Sequence, residues 1–282
     1  MHWLAIDYCA PTAAKDFAES LRTTGFGVIK NHPIRPEEVE NLYYHWAQFF
    51  ESSMKHNHLI DVTTQDGYVP VEMAEIAKGY DKQDLKEMFN FYPWGKQCPA
   101  HLRPQTMALW EALYSVGSTL LTWIEAYLPA DVRAGLSMPL ADMIANKHRT
   151  LFRINYYPAL TGQEDAGAFR AAAHTDIDLL TVLTAGSAKG LQVQGKNGIW
   201  HDVPCDPSTL IINVGDMLEE CTRHFYPSTF HRVLKLTGEE ARKPRMSCPL
   251  FLHPFEAVVL SERHTAKSYL HERLVELGLI TV

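Results

Sequence analysis

Cysteine is scarce in this chain, and its few copies form no pattern. Cys9, Cys98, Cys205, Cys221 and Cys248 are an odd number scattered over 282 residues, with no Cys-x-x-Cys pair. That argues against a disulfide framework or a zinc knuckle and points to a reducing compartment. Long apolar runs are missing as well: no stretch approaches eighteen uninterrupted apolar residues, so no membrane span is expected. The start, Met1-His2-Trp3-Leu4-Ala5-Ile6-Asp7, lacks the basic and apolar regions of a secretory signal, and a cytoplasmic location is the expectation. Positive charge is not in excess. A formal net charge of -7 gives no global attraction to nucleic acid or an anionic membrane, so a small anionic ligand would need a local cationic anchor. Neither a Gly-x-Ser-x-Gly elbow, a phosphate-binding Gly-x-x-x-x-Gly-Lys-[Ser/Thr] loop nor a Gly-x-Gly-x-x-Gly fingerprint occurs. Serine-hydrolase, nucleoside-triphosphate and dinucleotide or flavin readings therefore lack support.

What is present is a hydrophobic content of 46%, ample for a substantial core. Helical spacing predicts a helix over 13–22, with Phe17 and Leu21 four apart and Gly25 where it would stop. A strand over 26–30 follows, then a helix opened by Pro36 and lined by Val39, Leu42, Tyr43, Trp46, Phe49 and Phe50, a stripe better explained as core than as a cofactor box. A short helix is expected over 84–89, a long one through Met107, Trp110, Tyr114, Leu121, Ile124 and Leu128 that Pro129 ends, and another around 140–147.

From Thr150 the pattern changes to short strands divided by turns, read over 151–157, 179–184, 191–194, 199–203, 209–214, 229–236 and 245–253. Asn197-Gly198 is a strong hairpin signal, and an amphipathic helix with Tyr269, Leu270, Leu274 and Leu277 closes the chain. No Gly/Ser/Pro-rich tether separates helices from strands, so one domain is expected over 1–282: a helix-rich part over 1–149, a jelly-roll core over 150–255 and a helical segment over 256–282.

The chemistry centres on His174-Thr175-Asp176. Strand side chains alternate, so His174 and Asp176 can converge on one ion while Thr175 points elsewhere, and Arg245 is joined to Ser247 in the same way. His231 can supply a third ligand, and two imidazoles with one carboxylate hold a ferrous ion while leaving open positions. The tripeptide alone is weak, since 14 His and 14 Asp give about 0.7 His-x-Asp matches by chance. Its place before the apolar run Leu179-Leu180-Thr181-Val182-Leu183, with His231 and Arg245-Met246-Ser247 following, is what strengthens it. A guanidinium offers a carboxylate two parallel hydrogen bonds, worth roughly 1.5–3 kcal/mol each when enclosed, which Lys cannot reproduce. His56-Asn57-His58, and His148, His201, His253, His264 and His271 taken singly, are better read as solvated surface; Tyr68, Phe91, Phe169, Leu191 and Phe251 are as well explained by core packing as by a pocket.

In order, Gly25-Phe26-Gly27-Val28-Ile29-Lys30-Asn31-His32, Asn155-Tyr156-Tyr157-Pro158, His174-Thr175-Asp176, Gly190-Leu191-Gln192-Val193, Asn213-Val214-Gly215-Asp216, His231-Arg232-Val233 and Arg245-Met246-Ser247 run through nearly the whole chain. Their ordered set resembles the iron(II)/2-oxoglutarate-dependent oxygenases of the isopenicillin N synthase-like family. The resemblance implies a distorted double-stranded β-helix, mainly β with flanking helices, and iron(II) held by His174, Asp176 and His231. It also implies 2-oxoglutarate and O2 as cosubstrates, with Arg245, Ser247 and Tyr157 at the far carboxylate, where Asn155, two residues from Tyr157 on an extended strand, faces the same way, and hydroxylation, desaturation or cyclisation of a small organic molecule. Two alternatives stay open: an iron oxidase of the same fold that does not use 2-oxoglutarate, and a metal-dependent hydrolase or non-catalytic ligand-binding jelly roll. Arg245 follows His231 by fourteen positions, more than the family usually shows, so residues 236–244 read as a lengthened hairpin loop and Arg242 as a weak competitor for Arg245. The stretch over 220–227 also departs from the family pattern, and His224 within it is a decoy for His231.

Overall fold

A computed structural model describes residues 4–74, 82–164 and 167–276. Strand β1 (Ala5–Asp7) leads into α1 (Ala13–Thr24), which buries Phe17 and Leu21 and stops at Gly25. The φ of 70° there is the left-handed C-cap conformation that glycine adopts without steric cost. Next come β2 (Phe26–Lys30), α2 (Pro36–Glu51) with Pro36 in its first turn, β3 (Gly67–Val69) and β4 (Glu87–Phe91). Helices α3 (Arg103–Ala126) and α4 (Ala130–Ala134) follow.

The second half is mostly strand: β5 (Leu151–Tyr157), β6 (Ala171–His174), β7 (Leu180–Thr184), β8 (Leu191–Gln194), β9 (Trp200–Asp202) and β10 (Leu210–Val214). After α5 (Asp216–Cys221) come β11 (His231–Val233), β12 (Arg245–Ser247), β13 (Pro249–Leu252) and α6 (Ala266–Glu276). Leu277, expected on the last helix, lies outside the described residues.

Among the described residues the strands form two sheets. One is nine-stranded, ordered β1-β2-β10-β7-β13-β5-β4-β3 with β12 joined to β5; the other is four-stranded, ordered β6-β11-β8-β9. The large sheet is buried on both faces, which explains why its strands read as near-continuous apolar runs. Alternate residues Ile29, Phe152, Ile154, Tyr156, Ile212 and Leu250 pack in one cluster with Trp46, Trp110, Leu113 and Leu121 of the helices. Their strand neighbours Phe26, Val28, Tyr157 and Ile211 pack instead with Ala171, Leu191, Val193 and Val233 of the small sheet. The inner space of this jelly roll is thus lined by Asn155 and Tyr157, while Ile154 and Tyr156 serve the outer core.

Three expectations need correction. Residues 84–89 are not a helix: Glu87–Phe91 is a strand paired with both β3 and β5. The charges just before the strand are buried, with Lys86 Nζ donating to Asp84 Oδ2 at 2.8 Å and Asp84 Oδ1 accepting from the Ala172 amide at 2.8 Å. Around 140–147 only a 3-10 turn, Asp142–Ile144, forms. The 236–244 segment is no hairpin, because β11 belongs to the small sheet and β12 to the large one; it is a crossover carrying a 3-10 turn, Gly238–Arg242. The helix-rich first half also carries strands, since β1 to β4 all join the large sheet.

Candidate metal centre and acid pocket

Antiparallel pairing of β6 with β11 places His174 directly opposite His231, with ring centroids 4.4 Å apart. Asp176 lies two residues beyond, and its Oδ1 is 3.7 Å from Nε2 of each histidine. Among the described residues these three form the group whose ligand atoms all lie within 4.8 Å of one another. Each imidazole is oriented through its other nitrogen: His174 Nδ1 is 2.8 Å from the Ala172 carbonyl and His231 Nδ1 3.3 Å from that of Thr229. A carbonyl only accepts, so Nδ1 carries the proton and Nε2 is left with the lone pair a metal needs. Burial pushes the His231 imidazole down to about 4, keeping it neutral.

Asp176 is equally prepared. Burial works against its charge, but the His231 and His174 imidazoles and two hydrogen bonds outweigh that and hold its pKa below the usual carboxylate value. Those bonds, from Thr181 Oγ1 at 2.6 Å and Asn213 Nδ2 at 2.7 Å, both end on Oδ2 and leave Oδ1 to face the histidines. The Asp216 amide donates to the Asp176 carbonyl at 2.8 Å, and Thr175 turns away as expected to donate to Asp216 Oδ2 at 3.1 Å. Two neutral nitrogens and one anionic oxygen on a common face fit a divalent iron with its opposite side open.

The residues expected to anchor the acid are cross-strand neighbours. Arg245 stands opposite Tyr157, and Ser247 opposite Asn155, so all four side chains share one face of β5 and β12. Arg245 is 2% exposed; its Nε donates to the Ala188 carbonyl at 3.0 Å, its guanidinium lies 5.0 Å from the Tyr157 ring centre, and its Nη1 is buried with no partner. Asn155 Oδ1 is likewise buried and unpartnered. A buried guanidinium with an unused N–H fits an incoming carboxylate.

The decoys fall away: Arg242 is exposed on its 3-10 turn, and His224 is exposed against Glu219. His56, His148 and His271 are solvated as expected, whereas His264 is buried and His253 half-buried, with burial pushing the latter down to about 4. Tyr68 is core, donating to Glu87 Oε2 at 2.6 Å. Sequence reasoning passed over Thr181 and Gly186. Thr181 could have been found from strand alternation beside Asp176. Gly186 carries no such signal, yet a Cβ there would stand 2.8 Å from Arg245 Cζ and closer still to Nη2.

Comparison with known proteins agrees with this geometry. Residues 149–254 match the 2OG-Fe(II) oxygenase superfamily, and residues 7–112 match the non-haem dioxygenase in morphine synthesis N-terminal family. A flavonol synthase/flavanone 3-hydroxylase of Petunia hybrida is 39% identical over 256 residues, covering 85% of this chain and 69% of the relative. The crystal structure of an oxygenase from Shewanella oneidensis superposes with a TM-score of 0.90 at 49% identity, covering 99% of this chain and 100% of that one. A full-length Neurospora crassa protein, crystallised in complex with alpha-KG and thymine, shares the fold, with a TM-score of 0.77, 21% identity and 96% of each chain covered. The chain belongs to the 2OG-Fe(II) oxygenase superfamily, with its double-stranded β-helix fold, and is an iron(II)/2-oxoglutarate-dependent dioxygenase.

Proposed function

We propose that His174, Asp176 and His231 hold the iron, that Arg245, Ser247, Tyr157 and Asn155 hold the far end of 2-oxoglutarate, and that the enzyme hydroxylates a small organic substrate in the cytoplasm. The observation that carries the site assignment is the pairing of two prepared sets: neutral imidazoles facing a bare carboxylate oxygen, and a buried guanidinium with an unpartnered nitrogen. Iron and 2-oxoglutarate supply the oxygen activation and the two-electron reduction that hydroxylation requires. The chain's own residues orient both: Ala172 and Thr229 carbonyls fix the imidazole tautomers, Thr181 and Asn213 fix the carboxylate, and Arg245 gives the acid its direction. A small organic substrate is supported by the Neurospora crassa protein, which shares the fold and is bound to thymine. The cytoplasmic setting is supported by five cysteines that are all free thiols.

Oxygen consumption and succinate release, followed together while small molecules are screened, test this reading. Succinate should form only with oxygen and rise when a substrate is present. Arg245→Ala should raise the 2-oxoglutarate KM by roughly tenfold or more, as loss of a buried charged bond of about 1.5–3 kcal/mol requires. Oxygen uptake without succinate would overturn the 2-oxoglutarate assignment.

A further inference from the structure

Arg170 belongs to none of the motifs above, yet it is among the most buried side chains of the protein, with 0% exposure. Its Nη2 donates to the Lys243 carbonyl at 2.9 Å and to that of Pro158 at 3.4 Å. Pro158 directly follows Tyr157, and Lys243 lies two residues before Arg245. The guanidinium therefore sits where β5 ends and β12 begins, beside the cross-strand pair of Tyr157 and Arg245. Arg245 is close enough for its charge to add to burial in lowering the Arg170 pKa.

Two guanidiniums, 0% and 2% exposed, thus share one dry corner. Among the described residues neither has a carboxylate within ion-pair distance, and Arg170 Nε and Nη1 and Arg245 Nη1 are buried without acceptors. Buried like charges with unused donors are costly unless an anion joins them. A single anchoring arginine explains Arg245 but leaves the second charge without a role. The two carbonyl bonds of Arg170 account for only one of its nitrogens.

We propose that Arg170 is a second cation for the acid end of the pocket, a positioning residue that, with Arg245, makes the site selective for 2-oxo acids carrying a distal carboxylate. This rests on the 2-oxoglutarate reading above. Arg170 acts in two ways: its carbonyl bonds hold the ends of β5 and β12 together, and its charge favours the dianion over an uncharged chain end of the same length.

Calorimetric binding to the Fe(II)-loaded protein without oxygen tests it, using 2-oxoglutarate and 2-oxopentanoate, which has the same chain length but no distal carboxylate. Arg170→Met should weaken 2-oxoglutarate binding roughly tenfold, the scale of one buried charged interaction, and leave 2-oxopentanoate within about twofold. Arg170→Lys, which keeps the charge, should recover part of the preference. Equal loss for both acids, or no change for either, would overturn the proposal and leave Arg170 a structural staple. Should Arg170→Met fail to fold, Arg170→Lys decides: a lowered ratio of the two affinities supports the proposal and an unchanged ratio overturns it. Wild-type protein that binds no 2-oxoglutarate would overturn the underlying reading itself, and this one with it.

Discussion

Asp176 has two oxygens and uses them for separate tasks. Oδ2 accepts from Thr181 and Asn213, so the carboxylate cannot rotate, and Oδ1 alone is presented to His174 and His231. Such orientation by neighbouring hydrogen bonds is what turns a residue type into a metal ligand. Arg245 depends on an absence instead. Its guanidinium occupies the space a side chain at Gly186 would fill, and the methyl of an alanine there would stand only 2.8 Å from Cζ. The end of a long arginine can swing aside cheaply, so Gly186→Ala should leave thermal stability nearly unchanged while moving the anchor. The expected result is a 2-oxoglutarate KM raised several-fold, about 1 kcal/mol of lost binding, with a melting temperature within about 2 °C of wild type. An unchanged KM would show that Arg245 can reach the acid from more than one position.

At the scale of elements, α3 packs on the outer face of the large sheet through Gly117. A Cβ there would press on Leu252 Cδ1 and lie 3.1 Å from Val182 Cγ2, between β13 and β7. Alanine is the better helix former by about 1 kcal/mol, but forcing a methyl into a packed core costs about 1–3 kcal/mol. Gly117→Ala should therefore lower stability on balance in urea unfolding, with 2-oxoglutarate affinity retained; a stabilised variant would contradict the close packing. The elements carrying the site were the legible ones. The turn-bounded run over 151–157 and the apolar run before Thr184 predicted β5 and β7 well, and the ordered motifs singled out His174, Asp176 and His231, which the fold brings together. Elements whose identity depends on a distant partner were not. Ala171–His174 is a strand only because β11 pairs with it, since alanine has little strand preference. Glu87–Phe91 is a strand because β3 and β5 pair with it, and the groups that donate to the Glu87 carboxylate, Lys55 and Tyr68, are remote in sequence. Arg170 gave no sign at all, for burial of an isolated arginine is a tertiary fact.

At the scale of the whole molecule, a chain of net charge -7 buries two guanidiniums, Arg170 and Arg245, so its positive potential is local and not global. The two sheets divide the work: the small one brings His174 and His231 to the centre, and the large one brings Thr181, Asn213, Asn155 and Arg245. Among the described residues helices pack on the outer face of the large sheet, while its inner face meets the small sheet and carries Asn155 and Arg245. The central claim is that metal and acid are held side by side by these two sheets. Anaerobic titration of the Fe(II)-loaded protein with 2-oxoglutarate, followed by visible absorption, tests it most directly. Wild type should develop a weak charge-transfer band that saturates; His231→Ala should show none, and Arg245→Ala should need roughly tenfold more 2-oxoglutarate to reach half of it. A band of wild-type strength and affinity in both variants would contradict the account.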